Sequence, residues 1–143
     1  MSELDKQQAI AALNQILEHE MAGVIRYTHL SFMVFGHGRI PIVGWLREQG
    51  AESLLHAQEA GEMITLLGGE PSLSIGRLLK SHEHDTDTLL RRSLETESEA
   101  VTLYRKLLEL VKDRSVTLEE YARKMICAEE MHLAEVTKML RRP

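Results

Sequence analysis

Acidic residues interrupt three apolar stripes of the sequence, each near its centre. Apolar residues recur at alternating spacings of three and four, which is the pattern of one buried helix face, and the interruptions are Glu20, Glu97 and Glu129. His132 follows Glu129 by three residues and so lies on the same face. A carboxylate in a protein core is costly unless it is paired, protonated or bound to a cation, and no Lys or Arg occupies these stripes. The pattern therefore predicts that the acids meet a cation in the core.

A fourth stretch adds Glu52 and His56, which share one helix face. The two halves of the chain also repeat each other, because 36 residues separate Glu20 from His56 and 35 separate Glu97 from His132. Carboxylates can bridge two cations while imidazoles complete each coordination sphere, which suits iron or manganese. Each residue alone has an ordinary structural explanation. Their joint placement on four segments predicts a dinuclear site.

These residues must be positioned by helices, because only Pro41 and Pro71 interrupt the interior of the chain and alternating β-type patterns are nearly absent. Glycine-bearing stretches and capping patterns mark the expected ends. The first predicted helix spans Leu4–Phe35, and the second runs from Pro41 to Gly68-Gly69. The third begins between Ser81 and Asp87 and ends at Val111. The fourth begins with a capping box at Thr117–Glu120 and ends at Leu140.

The lengths of the connections predict the topology. The first and second helices, and the third and fourth, are joined by a handful of residues, as antiparallel neighbours are. About a dozen residues, GGEPSLSIGRLLK, join the second helix to the third. We therefore expect an all-α fold, an antiparallel four-helix bundle with one long crossover, formed as a single domain over residues 1–143.

Composition limits the functional classes. The chain has 143 residues, 17 Lys and Arg against 22 Asp and Glu, and 43% hydrophobic residues, which is enough for one well-formed core. One cysteine, Cys127, excludes an internal disulfide framework and a CxxC metal site. The absence of a dense basic run argues against nucleic acid as a partner, and no apolar run approaches the ~20 residues of a membrane span. The N-terminal MSELDKQQ lacks the features of a signal peptide, so we expect a cytoplasmic protein without a membrane partner.

Three segments together resemble the ferritin-like superfamily, and the bacterioferritins most closely within it. They are LNQILEHEMAGVIRY in the first helix, HAQEAGEMITLLGGEPSL at the end of the second and CAEEMHLAEV in the fourth. The resemblance implies a ferritin-like bundle that oxidises Fe²⁺ to Fe³⁺ with O₂ or peroxide, with two iron ions per subunit, for iron storage or detoxification in a homo-oligomer. The iron ligands, and hence the catalytic residues, that it implies are Glu20, His56, Glu97, Glu129 and His132.

The chain departs from the family at the bridging position of the second helix. The family has Glu three residues before its His, and this chain has Ser53. Glu52 is the nearest candidate metal ligand in its place, and Glu59 is a second. Positions four and three residues before His56 differ by about 100° around an ideal helix axis. We therefore expect a lopsided site, with the choice between Glu52 and Glu59 left open.

Two further departures concern haem and assembly. Bacterioferritins hold haem through Met two residues before the second-helix His, and Leu54 stands there, so haem is not expected. The chain ends at Arg141-Arg142-Pro143, where cage-forming relatives continue into a fifth helix. The resemblance therefore leaves open a homodimer, or a larger assembly other than a storage cage.

The sequence is also compatible with two other functions. A manganese or di-iron enzyme that scavenges peroxide would use the same residues. A non-catalytic metal-binding or structural bundle would follow if the absence of the bridging Glu at Ser53 disables oxidation.

Several neighbouring side chains carry secondary expectations. Tyr27 and Tyr104 are either hydrogen-bond partners and electron sources for the metals or core aromatics whose hydroxyls bond across the bundle. Cys127 is expected to be a small buried side chain, and His19 to face solvent or another subunit. Trp45 is a candidate interface anchor.

Overall fold

The computed structural model describes residues 1–78 and 85–143. Within these ranges the chain forms four helices and no strand: α1 (Glu3–Phe32), α2 (Arg39–Leu66), α3 (Thr86–Val111) and α4 (Val116–Leu140). The predicted all-α, four-helix architecture is confirmed. Ser81, one end of the range predicted for the start of α3, lies outside the described residues. No helix in the described parts of the chain is both long enough and apolar enough to cross a membrane.

Side-chain caps set the starts of three helices. Ser2 and Asp5 form a capping box on α1, in which the Ser2 hydroxyl accepts from the Asp5 amide and the Asp5 carboxylate accepts from the Ser2 amide, both at 3.1 Å. Asp85 accepts from the amide of Thr88 at the start of α3. These contacts satisfy amides that have no partner inside the helix.

The predicted cap of α4 is wrong by two residues. Ser115, not Thr117, is the N-cap, and its hydroxyl accepts from the Leu118 amide at 3.3 Å. Asp113 adopts φ 61° in the preceding turn, which brings Ser115 into extended backbone one residue before the helix. Thr117 is therefore already inside the first turn, where a capping box cannot form.

The helices pack as antiparallel pairs. Short connections join α1 to α2 and α3 to α4, and each pair makes extensive contact. Helices α1 and α3 also run in opposite directions, since Asp5 meets Arg114 near one end and Tyr27 meets Ser93 near the other. The four helices therefore surround one interior.

The connection that follows α2 lies along α1 as far as residue 78, in agreement with the predicted crossover. The Ser72 amide donates to Asn14 Oδ1 and the Gly76 amide donates to the Glu18 carbonyl, both at 2.8 Å. Gly76 lies so close to α1 that a Cβ at this position would be 3.1 Å from the Glu18 carbonyl oxygen. The crossover is thus held against α1 by backbone contact.

The apolar core is divided into two clusters. The larger cluster packs around Leu13, Ile64, Leu107 and Leu118, and the smaller one packs around Leu30, Val43, Leu46 and Leu89. Along α1, α2 and α3 the predicted acidic and histidine positions fall between the segments that build the two clusters. The interior therefore has a polar layer with apolar packing on either side.

We expect Gly76→Ala to lower the free energy of unfolding by about 1 to 3 kcal/mol, because the added methyl group meets backbone atoms that cannot rotate away. Urea unfolding followed by circular dichroism measures this change. Gly61→Ala is the matched control, since nothing lies within 4 Å of its added Cβ and Ala is the better helix former. Equal stability of Gly76→Ala and the unaltered protein would contradict the close contact.

Candidate metal centre

Five of the six predicted metal ligands meet in the polar layer. Glu20, His56, Glu97 and Glu129 are buried, with exposed fractions of 4%, 7%, 6% and 2%. His132 is half-buried. The helical period that placed each residue on an apolar stripe is the reason they converge, because each stripe faces the common interior.

The five residues form two overlapping groups. Glu20, His56 and Glu129 offer ligand atoms that lie within 4.8 Å of one another, and Glu97, Glu129 and His132 do the same. The first group has Glu20 from α1 and His56 from α2, and the second has Glu97 from α3 and His132 from α4. Glu129 of α4 belongs to both groups. A carboxylate shared in this way can contact two adjacent cations, because each of its oxygens can serve one of them.

The ring of His56 has an inner and an outer nitrogen. Its Nδ1 lies 3.1 Å from Glu129 Oε1 and 3.5 Å from Glu20 Oε2. Its Nε2 faces the opposite way and lies 3.6 Å from Glu52 Oε1. Nδ1 is therefore the nitrogen available to a cation in the centre.

Two polar atoms of the centre have no partner. Glu129 Oε2 and His132 Nε2 are buried and make no hydrogen bond with any described residue. Buried polar atoms are almost always paired in folded proteins. Unpartnered oxygen and nitrogen donors side by side are what a metal ion would satisfy, so the residues present fit a metal centre.

Without a cation, the centre retains protons. Burial, together with the neighbouring Glu129, raises the pKa of Glu97 to about 8. Burial also raises the pKa of Glu20. Burial alone would lower the pKa of His56, but its hydrogen bonds and charge interactions with Glu129 and Glu20 raise it to about 10. Binding of a metal cation must therefore displace protons from these side chains.

Two tyrosines reach the glutamates across the bundle. The Tyr27 hydroxyl of α1 donates to Glu97 Oε1 of α3 at 2.6 Å and lies 2.9 Å from the Ser93 hydroxyl. The Tyr104 hydroxyl of α3 lies 3.5 Å from Glu20 Oε1 of α1. Both tyrosines are fully buried. They therefore pack in the core and also orient the carboxylates of the centre.

The second-helix acids do not enter either group. Glu52 is 46% exposed and reaches only the outer nitrogen of His56. Glu59 instead places Oε1 3.7 Å from Lys124 Nζ. Ser53 is buried against α1, where a Cβ added to Gly23 would lie 2.9 Å from its hydroxyl oxygen. Neither Glu52 nor Glu59 belongs to the two groups of converging ligand atoms, and the choice between them as a metal ligand stays a prediction.

Three neighbouring residues differ from expectation or add to it. His19 is only 13% exposed, since its Nε2 lies 3.0 Å from the Thr96 carbonyl oxygen. Cys127 is exposed rather than buried, because it lies off the inward stripe of α4. Trp45 packs edge-on against the ring of His132, with centroids 6.1 Å apart. This contact was not predicted, because Trp45 and His132 are distant in sequence.

Comparison with known families identifies the fold. The profile of the ferritin-like domain matches residues 10–143. The chain belongs to the ferritin-like family. No curated protein matches the sequence.

Solved structures of this family superpose on nearly the whole chain. A ferritin-like, diiron-carboxylate protein of Bacillus anthracis is 27% identical, with a TM-score of 0.90 over 99% of this chain and 100% of its own. A dodecameric thioferritin of Bacteroides fragilis is 22% identical, with a TM-score of 0.86 over 94% and 85%. A bacterioferritin of Desulfovibrio desulfuricans, whose structure contains a diiron site, is 17% identical, with a TM-score of 0.87 over 96% and 81%.

The raised pKa values predict that the metal-free protein loses stability as the pH rises. Folded Glu97 and His56 bind protons more tightly than the free side chains, whose pKa values are 4.5 and 6.5, so between pH 7 and 9 unfolding releases protons. We expect a decrease on the order of 1 kcal/mol per pH unit for each proton released. Urea unfolding of chelator-treated protein at pH 7, 8 and 9 measures this decrease.

Glu97→Gln is the control for this titration, because the amide does not ionise. Its stability should fall less steeply with pH than that of the unaltered protein. Identical slopes for the two proteins would contradict the protonated state assigned to Glu97.

Proposed function

We propose that the chain is a di-iron ferroxidase of bacterioferritin-like type, which oxidises Fe²⁺ to Fe³⁺ with O₂ or peroxide. The observation that carries the proposal is the position of Glu129 between two groups that each hold one glutamate and one histidine. A mononuclear site or a structural ion pair does not require that arrangement. The family relationship supports the same function.

The five residues of the two groups are the proposed ligands of two Fe²⁺ substrates. Glu20 and His56 would hold one iron, Glu97 and His132 would hold the other, and Glu129 would contact both. When bound, the pair of irons supplies two electrons at one place. Oxygen donors favour Fe³⁺ because it is the harder cation, so the three carboxylates assist the loss of electrons.

The overall reaction balances with either oxidant. Two Fe²⁺ lose one electron each. These two electrons and two protons convert O₂ to H₂O₂, or convert H₂O₂ to two molecules of water. His56 and Glu97 release protons when metal binds, so the centre has a local source of the protons that the oxidant consumes. Tyr27 keeps one oxygen of Glu97 in place through its hydroxyl.

The surroundings limit what else reaches the irons. The apolar clusters on either side limit the access of reductants to the polar layer. The Trp45 ring covers one side of His132. We therefore expect the protein to serve iron detoxification, or storage where subunits assemble into a shell.

We expect a single-domain subunit in a homo-oligomer, acting in the cytoplasm without haem. The Bacteroides fragilis protein, which has the same fold, is dodecameric. Manganese is an alternative metal, since the same donors suit it.

A second candidate function is passive metal binding or peroxide scavenging. Ser53 favours it, because this residue stands where the resemblance implies a bridging Glu, and Glu52 and Glu59 lie outside the two groups of converging ligand atoms. Oxidation of Fe²⁺ supplied with air, and separately with peroxide under nitrogen, distinguishes these functions. A ferroxidase forms Fe³⁺ faster than the buffer control. A peroxide scavenger forms Fe³⁺ faster than the buffer control only with peroxide. A passive binder does not exceed the buffer control with either oxidant.

Glu129→Ala should abolish high-affinity binding of the second iron and reduce the oxidation rate at least 100-fold, because both groups lose their shared ligand. Ferric absorbance in stopped flow gives the rate, and anaerobic Fe²⁺ titration gives the number of ions bound. Glu130→Ala is the matched control, since Glu130 is exposed and pairs with Arg105 away from the centre. Two irons and an unchanged rate in Glu129→Ala would contradict the proposal.

Tyr27→Phe should lower metal affinity about 10- to 100-fold, as is usual when a hydrogen bond to a ligating group is lost. The effect should be confined to the iron held by Glu97 and His132. Calorimetric titration with Mn²⁺ under nitrogen would resolve the two binding steps. Equal weakening of both steps would indicate a general loss of packing instead.

A further inference from the structure

Three buried polar residues follow one another along the inner face of α2. They are Gln49, Ser53 and His56, at spacings of four and three residues. The other buried residues of α2 are apolar or glycine. His56 belongs to the metal centre, whereas Gln49 and Ser53 belong to neither group of ligand atoms. The centre therefore has a polar neighbour on α2 that metal binding alone does not explain.

Contacts with α1 place Gln49 beside the centre. A Cβ added to the adjacent Gly50 would lie 3.6 Å from the Tyr27 Cβ. The Tyr27 hydroxyl in turn donates to Glu97 Oε1 at 2.6 Å and lies 2.9 Å from the Ser93 hydroxyl. Gln49 is therefore level with the hydroxyl groups that border Glu97.

Contacts with α4 place Gln49 in the same part of the interior. Trp45 precedes Gln49 by four residues, so the two residues lie on adjacent turns of one helix face. The Trp45 ring packs edge-on against His132, with centroids 6.1 Å apart. Seven residues after Gln49, two helical turns along the same face, His56 contacts Glu129. The residues of this face on either side of Gln49 thus both contact the centre.

The Gln49 side chain contains a buried oxygen without a partner. The residue is 9% exposed, and its Oε1 makes no hydrogen bond with any residue in the ranges 1–78 and 85–143. A buried acceptor in this condition lowers the stability of a fold, because the atom has lost its hydrogen bond to water. Buried polar atoms are almost always paired in folded proteins. The Gln49 oxygen therefore points to a ligand that supplies the missing donor.

The groups around Gln49 suit a small, uncharged molecule rather than another cation. Ser53, Ser93 and Tyr27 are buried and carry neutral hydroxyl groups. A carboxamide and hydroxyls can both accept hydrogen bonds from a small molecule and donate hydrogen bonds to it. Of the two oxidants considered for the centre, hydrogen peroxide has two O–H donors and O₂ has none. The unpartnered oxygen therefore distinguishes between them.

We propose that Gln49 receives hydrogen peroxide at the centre and makes peroxide, rather than O₂, the preferred oxidant of this protein. The inference rests on the proposed function, because it names the oxidant of the same reaction. In that reaction two Fe²⁺ lose one electron each, peroxide takes up both electrons and two protons, its O–O bond breaks and two water molecules form. Gln49 Oε1 accepts a hydrogen bond from one O–H of the incoming peroxide.

Discrimination against O₂ follows from the same hydrogen bond. Water and hydrogen peroxide can each donate to Gln49 Oε1, so peroxide replaces water without loss of the bond. O₂ in the same place would leave the oxygen unpaired. Sites built around a hydrogen bond to a substrate hydroxyl reject analogues that lack it for this reason. Gln49 is therefore a residue that determines specificity and does not ligate the metals.

Gln49→Met tests the assignment, because methionine has nearly the volume of glutamine and lacks the amide. In stopped flow, the unaltered protein should form Fe³⁺ about 10-fold faster or more with peroxide than with an equal concentration of O₂. In Gln49→Met the rate with peroxide should fall about 10-fold or more, whereas the rate with O₂ should change less than about twofold. Gln58→Met is the matched control, since Gln58 is exposed and should affect neither rate.

Urea unfolding separates a role in oxidant binding from a structural role. Replacement of an unpartnered buried acceptor by an apolar group of the same size should leave the free energy of unfolding of the metal-free protein unchanged or raise it. Anaerobic titration of Gln49→Met with Fe²⁺ should still give two bound ions with unchanged affinity. A loss of stability, or weaker binding of iron, would assign Gln49 a structural or ligating role and overturn the proposal.

The rates also separate a failure of this inference from a failure of the proposed function. Equal losses with both oxidants in Gln49→Met would overturn the role of Gln49 and leave the ferroxidase intact. Equal rates with O₂ and peroxide in the unaltered protein would do the same. Rates no faster than the buffer control with either oxidant would instead contradict the ferroxidase itself, and the inference with it.

Discussion

The burial of Glu20, Glu97 and Glu129 at one level of an apolar bundle is the interaction on which the rest of the structure depends. Three carboxylates in a region of low dielectric repel one another and lose their hydration. The fold tolerates them only because protons, the His56 ring and two tyrosine hydroxyls neutralise or bond them. A pair of metal cations would relieve the same repulsion more completely, so bound metal would stabilise the fold.

The arrangement has an approximate twofold character that follows from the repeated helix pairs. Each pair contributes one glutamate, one histidine and one tyrosine, and each tyrosine reaches the glutamate of the other pair. The two helix pairs differ at the position of the bridging ligand. Glu129 of α4 lies between the two groups, while α2 offers the short side chain of Ser53 packed against Gly23. The two groups of ligand atoms therefore have unequal surroundings.

The acids that α2 does carry are used elsewhere. Glu52 faces the outer nitrogen of His56, where a carboxylate favours the tautomer that leaves Nδ1 free for metal. Glu59 turns toward Lys124 of α4. Glu52 and Glu59, the two alternatives predicted for one ligand position, thus lie before and after His56 along α2 and contact different partners.

The sequence by itself determined the four helices, the crossover and the five converging side chains. It could do so because the period of 3.6 residues places Glu20, Glu97 and Glu129 on inward faces whatever the details of packing. Other features depend on how each helix is rotated against its neighbours. They are the contacts that Glu52 and Glu59 make, the exposure of Cys127 and the contact of Trp45 with His132. That rotation is set by contacts between residues far apart in the chain, such as Ser53 with Gly23, and only the tertiary structure contains them.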